Sequence, residues 1–270
     1  MDTSTAEPLP PAEALDRIVY LLDRGLQPSQ KVRAFQKAAA IVRELGDDEI
    51  ARRAAAGTLT ELDGIGDSTG TAIAEAAQGL VPDYQRKLEE STVVPLGAGR
   101  EIREALRGDC HLHSHWSDGG APIADMAATA QSLGQGSCFL SDRPPRLTVA
   151  HGLNRDRLLA QLDEIDAVNA ELAPFRILTG IEVDILEDGT LDQDEDLLAR
   201  LDVVVASVHS KLRMERPLMT QRMVLAMASP HTDILGHCTG RMVKGRGRPP
   251  STFDADMVFA ACARFDKAVE

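Results

Sequence analysis

The sequence predicts an α/β region preceded by an all-helical region, and two observations support this division. Residues 12–90 carry apolar side chains at helical spacing, interrupted by glycine and proline. From about residue 104 to 270, short apolar runs alternate with helical patterns, which is typical of parallel βα units in a barrel or an open doubly wound sheet. A chain of 270 residues is long enough for one large domain or two smaller ones.

Composition argues against several classes of protein. With 29 basic and 42 acidic residues, the formal net charge is −13, which disfavours a broad nucleic-acid-binding surface. The four cysteines are far apart, so we expect a reducing compartment, no disulfides and no structural zinc knuckle. The N-terminus lacks signal-peptide and transit-peptide patterns, and no apolar run approaches the ~20 residues of a membrane span. We therefore expect a soluble cytoplasmic protein.

Changes in composition along the chain predict four segments. They are a disordered tail over 1–11, a helical domain over 12–92, a linker over 93–103 and an α/β domain over 104–270. In the helical domain, periodicity predicts helices over 13–24, 30–45 and 47–55, followed by a hairpin over 59–68 that leads into a helix ending near 77.

The hairpin turn Gly64-Ile65-Gly66 is the first candidate binding feature. A tight glycine turn at a helix start leaves backbone N–H groups exposed, and such groups bind phosphate without any side chain. The helix over 31–43 adds Lys31, Arg33 and Lys37 without any acidic residue. Together these residues predict a small, weak and salt-sensitive site for a nucleic-acid backbone. The alternatives are a plain helical hairpin and a solvated helix face.

In the α/β domain, the predicted strands and helices alternate. The predicted strands cover 108–113, 137–142, 176–185, 202–209 and 233–237. The predicted helices cover 122–133, 155–172, 194–201, 219–229 and 254–265.

The first predicted strand ends in a dense set of metal-binding side chains. His111 and His113 lie two residues apart, so both point to the same face of the strand, roughly 6.6–7 Å apart. Asp118 follows in a Ser-Asp-Gly turn and adds a charge and an oxygen ligand. Imidazole suits zinc, iron and manganese, so this strand end predicts part of a metal site. The alternative is a polar strand end without metal.

Other predicted strands carry similar groups near their ends. Glu182 lies in the third strand, His209 ends the fourth and His237 ends the fifth. Active sites of βα barrels gather at the C-terminal ends of the strands, so these groups predict one shared metal centre. Such a centre suits hydrolysis of a phosphate ester. Lys211 and Arg241 follow two of these strands and would bind phosphate oxygens, the alternative being ordinary loop charge.

At these residues the chain resembles the PHP family (polymerase and histidinol phosphatase). The motifs are His-Leu-His with Ser-Asp-Gly over 111–119, Gly-Ile-Glu-Val-Asp over 180–184, Ser-Val-His-Ser over 207–210 and Gly-His-Cys-Thr-Gly-Arg over 236–241. The resemblance covers essentially all of 104–270. It implies a distorted seven-stranded βα barrel with up to three divalent ions, usually zinc, manganese or iron. The implied activity is phosphomonoester hydrolysis or 3′-end processing of DNA.

The same resemblance implies an assignment of ligands. His111, His113 and Glu182 would hold one ion, and Glu182 would bridge to a second ion held by His209 and His237. Asp118 would belong to a third. Glu182 and His209 would be the central catalytic side chains, with Lys211 and Arg241 on the phosphate.

The helical region resembles the helix-hairpin-helix domain that opens family X DNA polymerases. The matching motifs are Lys-Val-Arg-Ala-Phe over 31–35 and Leu-Asp-Gly-Ile-Gly over 62–66. The linker leaves no room for a polymerase palm, so polymerisation is not expected. Ala72 stands where lyase-active members carry a Schiff-base lysine, so lyase activity is not expected either.

Two departures from the PHP pattern concern the metal site. The second strand of the family ends in Thr-Asp-His, whereas this chain has Ser141-Asp142-Arg143, and a guanidinium cannot bind a cation. We also expect the chain to stop where a further strand should begin, without the family's last Asp-x-His ligands. Fewer than three ions are therefore predicted, and the incomplete barrel predicts self-association. His115 is interpreted as a surface residue, with ligand replacement as the alternative.

Three functional hypotheses follow. The first is a metal-dependent phosphoesterase acting on a phosphorylated small molecule or a DNA end. The second is a catalytically impaired PHP remnant. The third is a DNA-binding module that acts through the helical hairpin.

Overall fold

The computed structural model describes residues 7–146, 151–242 and 247–270. Residues 1–6, which form most of the predicted disordered tail, lie outside this description. The chain divides into two compact units, Met1–Gly99 and Arg100–Glu270.

The first unit is helical. Its helices are α1 (Pro11–Arg24), α2 (Ser29–Leu45), α3 (Asp47–Ala56), α4 (Asp67–Ala77) and α5 (Asp83–Ser91). The apolar stripe of α1 packs on α2, and residues such as Ile18, Leu22, Phe35 and Val42 are almost completely buried between the helices. Burial of this stripe gives the unit a hydrophobic core of its own.

The predicted hairpin lies between a short 3-10 turn, Leu59–Glu61, and α4. Gly64 has φ +97°, a left-handed backbone conformation that favours glycine. The Gly66 N–H donates to Oγ1 of Thr69 at 2.9 Å. Ala72 lies in the core of the unit.

The second unit alternates strands and helices. The strands are β1 (Gly108–Leu112), β2 (Ser137–Leu140), β3 (Arg176–Leu178), β4 (Gly180–Asp184), β5 (Val203–Ser207), β6 (Ile234–Leu235) and β7 (Ala268–Val269). The helices are α6 (Arg100–Ala105), α7 (Ile123–Ser132), α8 (Arg155–Leu172), α9 (Glu195–Leu198), α10 (Arg216–Met227) and α11 (Ala255–Arg264).

The strands form two sheets, and every pairing within them is parallel. One sheet has the order β1-β2-β3 and the other the order β4-β5-β6-β7. The prediction of parallel βα units is confirmed. Glu182 N–H of β4 donates to the carbonyl of Asp142 at 3.2 Å, which links the second sheet to the end of β2. Closure of the sheets into a barrel stays a prediction.

The prediction of a single strand over 176–185 is wrong. The run breaks at Thr179, whose N–H and hydroxyl both donate to the Asp202 carboxylate at 2.9 and 3.0 Å. A Cβ at Gly180 would lie 1.8 Å from the Phe139 ring, so the chain there passes directly against β2. The two halves, β3 and β4, consequently pair in different sheets.

The given sequence ends in a short strand, and the expectation that the family's last ligands are missing stays a prediction. Ala268 and Val269 form β7, which pairs in parallel with β6. Apolar side chains remain exposed nearby, among them Met257, Phe265 and Val269. Self-association stays a prediction.

The core of the second unit consists of aliphatic and methionine side chains between the sheets and their helices, including Ile181, Val204, Met219 and Met223. None of the helices within the described ranges combines the length and apolar character that crossing a bilayer requires.

Candidate metal centre

Five of the predicted ligands lie together at the C-terminal ends of the parallel strands. They are His111 on β1, His113 just after it, Glu182 within β4, His209 two residues after β5 and His237 two residues after β6. Parallel strands end at the same edge of a sheet, which is why residues far apart in sequence converge here.

The Glu182 carboxylate lies at the middle of this group, which we call the ligand cluster. Its side chain is completely buried. Oε1 lies 3.0 Å from Nε2 of His237 and 3.1 Å from Nε2 of His209. Oε2 lies 3.5 Å from Nε2 of both His111 and His113. One carboxylate therefore faces four imidazole rings, two on each oxygen.

The donor set fits divalent metal ions. Nε2 of His209 lies 3.1 Å from Nε2 of His237, and the Nε2 atoms of His111 and His113 are 3.2 Å apart. A contact this short between two ring nitrogens requires a lone pair on at least one of them, so each pair brings a lone pair into the cluster. A cation resolves such a crowding of lone pairs, and imidazole with carboxylate is a common ligand set.

Three groups of ligand atoms could each hold an ion. They are His111, His113 and Glu182; Glu182, His209 and His237; and His111, His237 and Glu270. Within each group, the ligand atoms lie within 4.8 Å of one another. The first two groups contain the residues predicted for two ions bridged by Glu182.

Electrostatics in the cluster favours a charged Glu182. Burial alone would raise the pKa of its carboxyl group, but hydrogen bonds from the four histidines outweigh burial and hold that pKa well below its usual range. Hydrogen bonding to Glu182, opposed by burial and assisted by Glu270, raises the pKa of His111 to about 9.

Glu270 is a cluster residue that sequence reasoning missed. Its Oε2 lies 2.7 Å from Nδ1 of His111. The only signal in the sequence is the apolar pair Ala268-Val269 directly before it. This pair is a very short version of an apolar strand that ends in a carboxylate.

Asp118 lies at the rim of the cluster. Its Oδ1 is 2.7 Å from Nδ1 of His113, and its Oδ2 is 3.2 Å from Nε of Arg143. Burial would raise the pKa of Asp118, but the charges of His113 and Arg143 outweigh it and lower that pKa. Asp118 belongs to none of the three groups of ligand atoms found in the described residues.

Arg143 points into the cluster. Its Nη1 donates to Oε2 of Glu182 at 2.5 Å and to Nε2 of His209 at 2.8 Å. The side chain is 20% exposed, so this guanidinium is a built-in part of the site. The sequence suggested only that this residue removes a ligand and repels metal.

A buried carboxylate supports the loop that carries His113. Asp142 accepts hydrogen bonds from the backbone N–H of Ser114, the hydroxyl groups of Ser114 and Ser117, and Nε2 of Gln161. Asp142 is completely buried. Four donors on one carboxylate fix the path of the loop between His113 and Asp118.

A second carboxylate positions His209. Asp184 accepts the backbone N–H of His209 at 3.0 Å, and its Oδ1 lies 3.7 Å from Nδ1 of the ring. The buried guanidinium of Arg222 donates to the carbonyls of Ile185 and Ser210 on either side. A ring that faces the cluster through Nε2 and a carboxylate near Nδ1 is a common arrangement around metal-ligating histidines.

Three other candidate residues are exposed and make their described contacts outside the cluster. Lys211 is exposed and pairs with Glu187 at 3.7 Å, and Arg241 is exposed near the hydroxyl of Thr239. His115 is exposed beside Trp116. Among the described residues, no hydrogen bond or ion pair links any of these three to the ligand cluster.

A cavity of about 580 Å³ opens beside His209. Its lining comprises Arg146, Asp184, Leu186, Glu187, Asp188, His209 and Ser210. This volume is typical of pockets for small molecules.

The residues predicted to bind a nucleic-acid backbone lie in the first unit. They are the exposed basic side chains of α2 and the glycines of the hairpin. Lys31, Arg33 and Lys37 are exposed on α2, and Nζ of Lys37 lies 3.2 Å from Asp63. The Gly66 N–H, expected to face a phosphate, is occupied by the Thr69 hydroxyl.

Comparison with known proteins finds relatives for the sequence, although no family model matches it. A DNA polymerase/3′-5′ exonuclease PolX of Bacillus subtilis (strain 168) is 42% identical over 165 residues, which cover 61% of this chain and 29% of that protein. A probable phosphatase of Thermoanaerobacter sp. (strain X514) is 30% identical over 171 residues, which cover 60% of this chain and 62% of that protein.

A probable phosphatase of Aliivibrio fischeri (strain MJ11) is also 30% identical over 171 residues, 61% of this chain and 62% of the relative. The chain thus spans between 29% and 62% of the length of these relatives. Over about three fifths of its own length, it is similar to a polymerase/exonuclease and to probable phosphatases.

Proposed function

We propose that this chain is a metal-dependent phosphoesterase of the PHP type, acting on the phosphate ester of a small molecule. The observation that carries the proposal is the ring of four histidines around the buried carboxylate of Glu182. The relatives named PolX and probable phosphatases support the same chemistry.

The ligand atoms of the cluster would hold the metal. A bound divalent ion supplies a water of lowered pKa and neutralises charge on the phosphoryl group. The chain keeps the ring nitrogens of His209 and His237 turned toward Glu182, and Asp184 holds the backbone of His209 in place. Asp142 similarly orients the loop that follows His113.

The cavity beside His209 supports a small substrate. Its volume of about 580 Å³ suits the alcohol part of a phosphomonoester. Arg146 contributes a positive charge to the lining, and Asp184, Glu187 and Asp188 contribute negative charges. The residues that line this cavity would decide which ester binds.

The test is hydrolysis of a panel of small phosphomonoesters by the purified chain after removal of metal and re-addition of zinc, manganese or iron. We expect activity that depends on the added metal and falls at least about 1,000-fold in Glu182→Gln, because the negative charge at the centre of the ligand cluster is lost. His209→Ala should show a similar loss.

His231→Ala is the matched control, since His231 lies in a loop before β6 and forms no hydrogen bond or ion pair with the cluster among the described residues. Its activity should equal that of the parent chain. Metal-independent hydrolysis, or full activity in Glu182→Gln, would refute the proposal. Metal binding without hydrolysis of any ester would favour the impaired-remnant hypothesis instead.

Processing of DNA 3′ ends is a second candidate function. The 42% identity to a protein named as a 3′-5′ exonuclease favours it, and the basic side chains of α2 would bind the DNA backbone. We expect DNA affinity to be weak and to fall with added salt. The triple variant Lys31→Gln, Arg33→Gln, Lys37→Gln should lower it at least about tenfold.

The matched control is the double variant Arg86→Gln, Lys87→Gln, which removes basic residues of α5 in the same unit. Equal losses of DNA affinity in the two variants would indicate that the effect of charge is nonspecific. No release of nucleotides from a 3′ end by the parent chain would refute this second candidate.

A further inference from the structure

The guanidinium of Arg143 lies where the ligand cluster would otherwise hold a metal ion. Nη1 is 2.5 Å from Oε2 of Glu182 and 2.8 Å from Nε2 of His209, and Nε is 3.2 Å from Oδ2 of Asp118. Oε2 of Glu182 also faces the ring nitrogens of His111 and His113. Nη1 therefore contacts one ligand atom from each of the two groups that share Glu182.

Among the described residues, Arg143 does not contact the remaining group of ligand atoms. The third group contains His111, His237 and Glu270, and Arg143 forms no hydrogen bond or ion pair with any of them among the described residues. An ion in that group does not have to displace the guanidinium.

The charges in the cluster disfavour a metal ion next to the guanidinium. Asp118, Glu182 and Glu270 bring three negative charges close together, and Arg143 supplies one positive charge. A divalent ion beside the guanidinium would add repulsion to a buried site, where charges are weakly screened.

Arg143 also has a donor group that is unpaired within the described residues. Nε and Nη1 contact the cluster, whereas Nη2 has no hydrogen-bond partner within 7–146, 151–242 and 247–270. A guanidinium offers five donors in a planar fork that suits phosphate oxygens. With a fifth of its side chain exposed, Arg143 can present Nη2 to a ligand that enters the cluster.

We infer that Arg143 keeps metal out of the two groups that share Glu182, so that the chain holds a single divalent ion, in the group of His111, His237 and Glu270, and that its Nη2 binds the phosphoryl group. This inference rests on the proposed function only for the identity of the phosphoryl ligand. Arg143 acts as a binding and positioning residue, and the reaction needs no further group from it.

The test measures two quantities that require no turnover. Metal content per chain is determined by elemental mass spectrometry after equilibration with manganese or zinc, and the affinity for inorganic phosphate is determined by titration calorimetry. The variants are Arg143→His, which removes the charge and adds a ligand, and Arg143→Lys, which keeps the charge without the planar fork. Arg155→Gln is the control, because Arg155 pairs with Asp194 and Asp196 outside the cluster.

We expect one divalent ion per chain in the parent, in Arg143→Lys and in the control, and at least one more ion in Arg143→His. Phosphate should bind about tenfold more weakly to Arg143→Lys than to the parent, because a charge-assisted bond is lost. If Arg143→His fails to melt cooperatively, Arg143→Gln replaces it, since it removes the same charge and should also gain an ion.

Two ions or more in the parent, an unchanged ion content in both charge-removing variants, or parental phosphate affinity in Arg143→Lys would overturn the inference. Failure of the proposed function gives a different pattern. In that case the parent hydrolyses no phosphate ester, while ion content and phosphate affinity still depend on Arg143.

Discussion

The two units of this chain bury different kinds of side chain. Among the described residues of the helical unit, the buried polar groups are Thr69, Gln85 and Thr92, and none of them carries a charge. The second unit buries Asp142, Glu182, Asp184, Asp192 and Arg222. The helical unit therefore depends on apolar packing, whereas the second unit also carries buried charges whose partners surround a site.

The largest expected effect is in the second unit. Asp142→Ala should lower the free energy of unfolding by about 3–5 kcal/mol, because it leaves buried donors from Ser114, Ser117 and Gln161 without an acceptor. Urea unfolding checks this value. Metal content should fall too, although Asp142 is not among the ligand atoms.

Asp163→Ala is the matched control, since Asp163 is exposed on the same helix as Gln161. Its unfolding free energy should stay within about 0.5 kcal/mol of the parent value. If Asp142→Ala lost no more stability than this control, the buried network would contribute nothing to stability. The contrast between the two units would then fail.

Creating a cavity in the core of the helical unit should give the next largest loss of stability. Leu22→Ala should lower the free energy of unfolding by about 3 kcal/mol, because Leu22 is completely buried between the helices. The loss should be the same at pH 5 and pH 8, since the described part of that core contains no charged group. Leu80→Ala, at a side chain that is 52% exposed, should have little effect. A strongly pH-dependent loss would contradict the comparison.

Asp192 gives a pH-dependent effect in the second unit. Burial and the nearby charge of Asp184 raise the pKa of Asp192 to about 6, and neither of its oxygens has a hydrogen-bond partner in the described residues. Its pKa in the unfolded chain is lower, so the folded state binds more protons between these two values. The free energy of unfolding therefore falls as pH rises through this window, and ionised Asp192 destabilises the fold above pH 6.

Asp192→Asn should consequently stabilise the chain by about 1–2 kcal/mol at pH 8 and by about half as much at pH 5. Thermal melting of the parent and variant at both pH values measures this difference. Asp188→Asn is a suitable control, because Asp188 is exposed and hydrogen-bonded to Thr190. An equal effect of Asp192→Asn at both pH values would show that ionisation of this residue is not the cause.

The smallest effect is expected at the surface of the helical unit. Glu49 pairs with Arg52 and Arg53, and hydrogen bonds from these two residues lower its pKa. Water and salt screen ion pairs at the surface, so Glu49→Gln should leave the Tm unchanged at physiological salt. A clear drop in Tm would show that surface charges matter more in this unit than its burial pattern indicates.

Much of the fold was predictable because its signals are local. Apolar periodicity predicted the helices, and the alternation of apolar runs with helices predicted parallel sheets. The break at Thr179 was not predictable, since residues 176–185 read as one apolar run and the cause of the break is a contact with Asp202 far along the chain. The strand formed by Ala268 and Val269 is too short to give a pattern.

For the site, the residue types at the predicted strand ends indicated the ligands. The sequence carried no information about how those side chains are oriented. His111, Glu182 and His237 stood out because each follows or interrupts an apolar run, and the structure brings them together. Arg143 was interpreted as a lost ligand, because nothing local in the sequence shows that its guanidinium turns toward Glu182. Glu270 was missed for the same reason, since only the fold brings it to His111.

The division of the strands into two sheets has a consequence for assembly. His111 and His113 belong to the end of the first sheet, whereas Glu182, His209 and His237 belong to the second. An ion held by residues of both sheets can bind only after the sheets have met, so its binding energy adds to the stability of the joined unit by mass action. Metal uptake during refolding would therefore report the docking of the two sheets, and a chelator would loosen the unit where they meet.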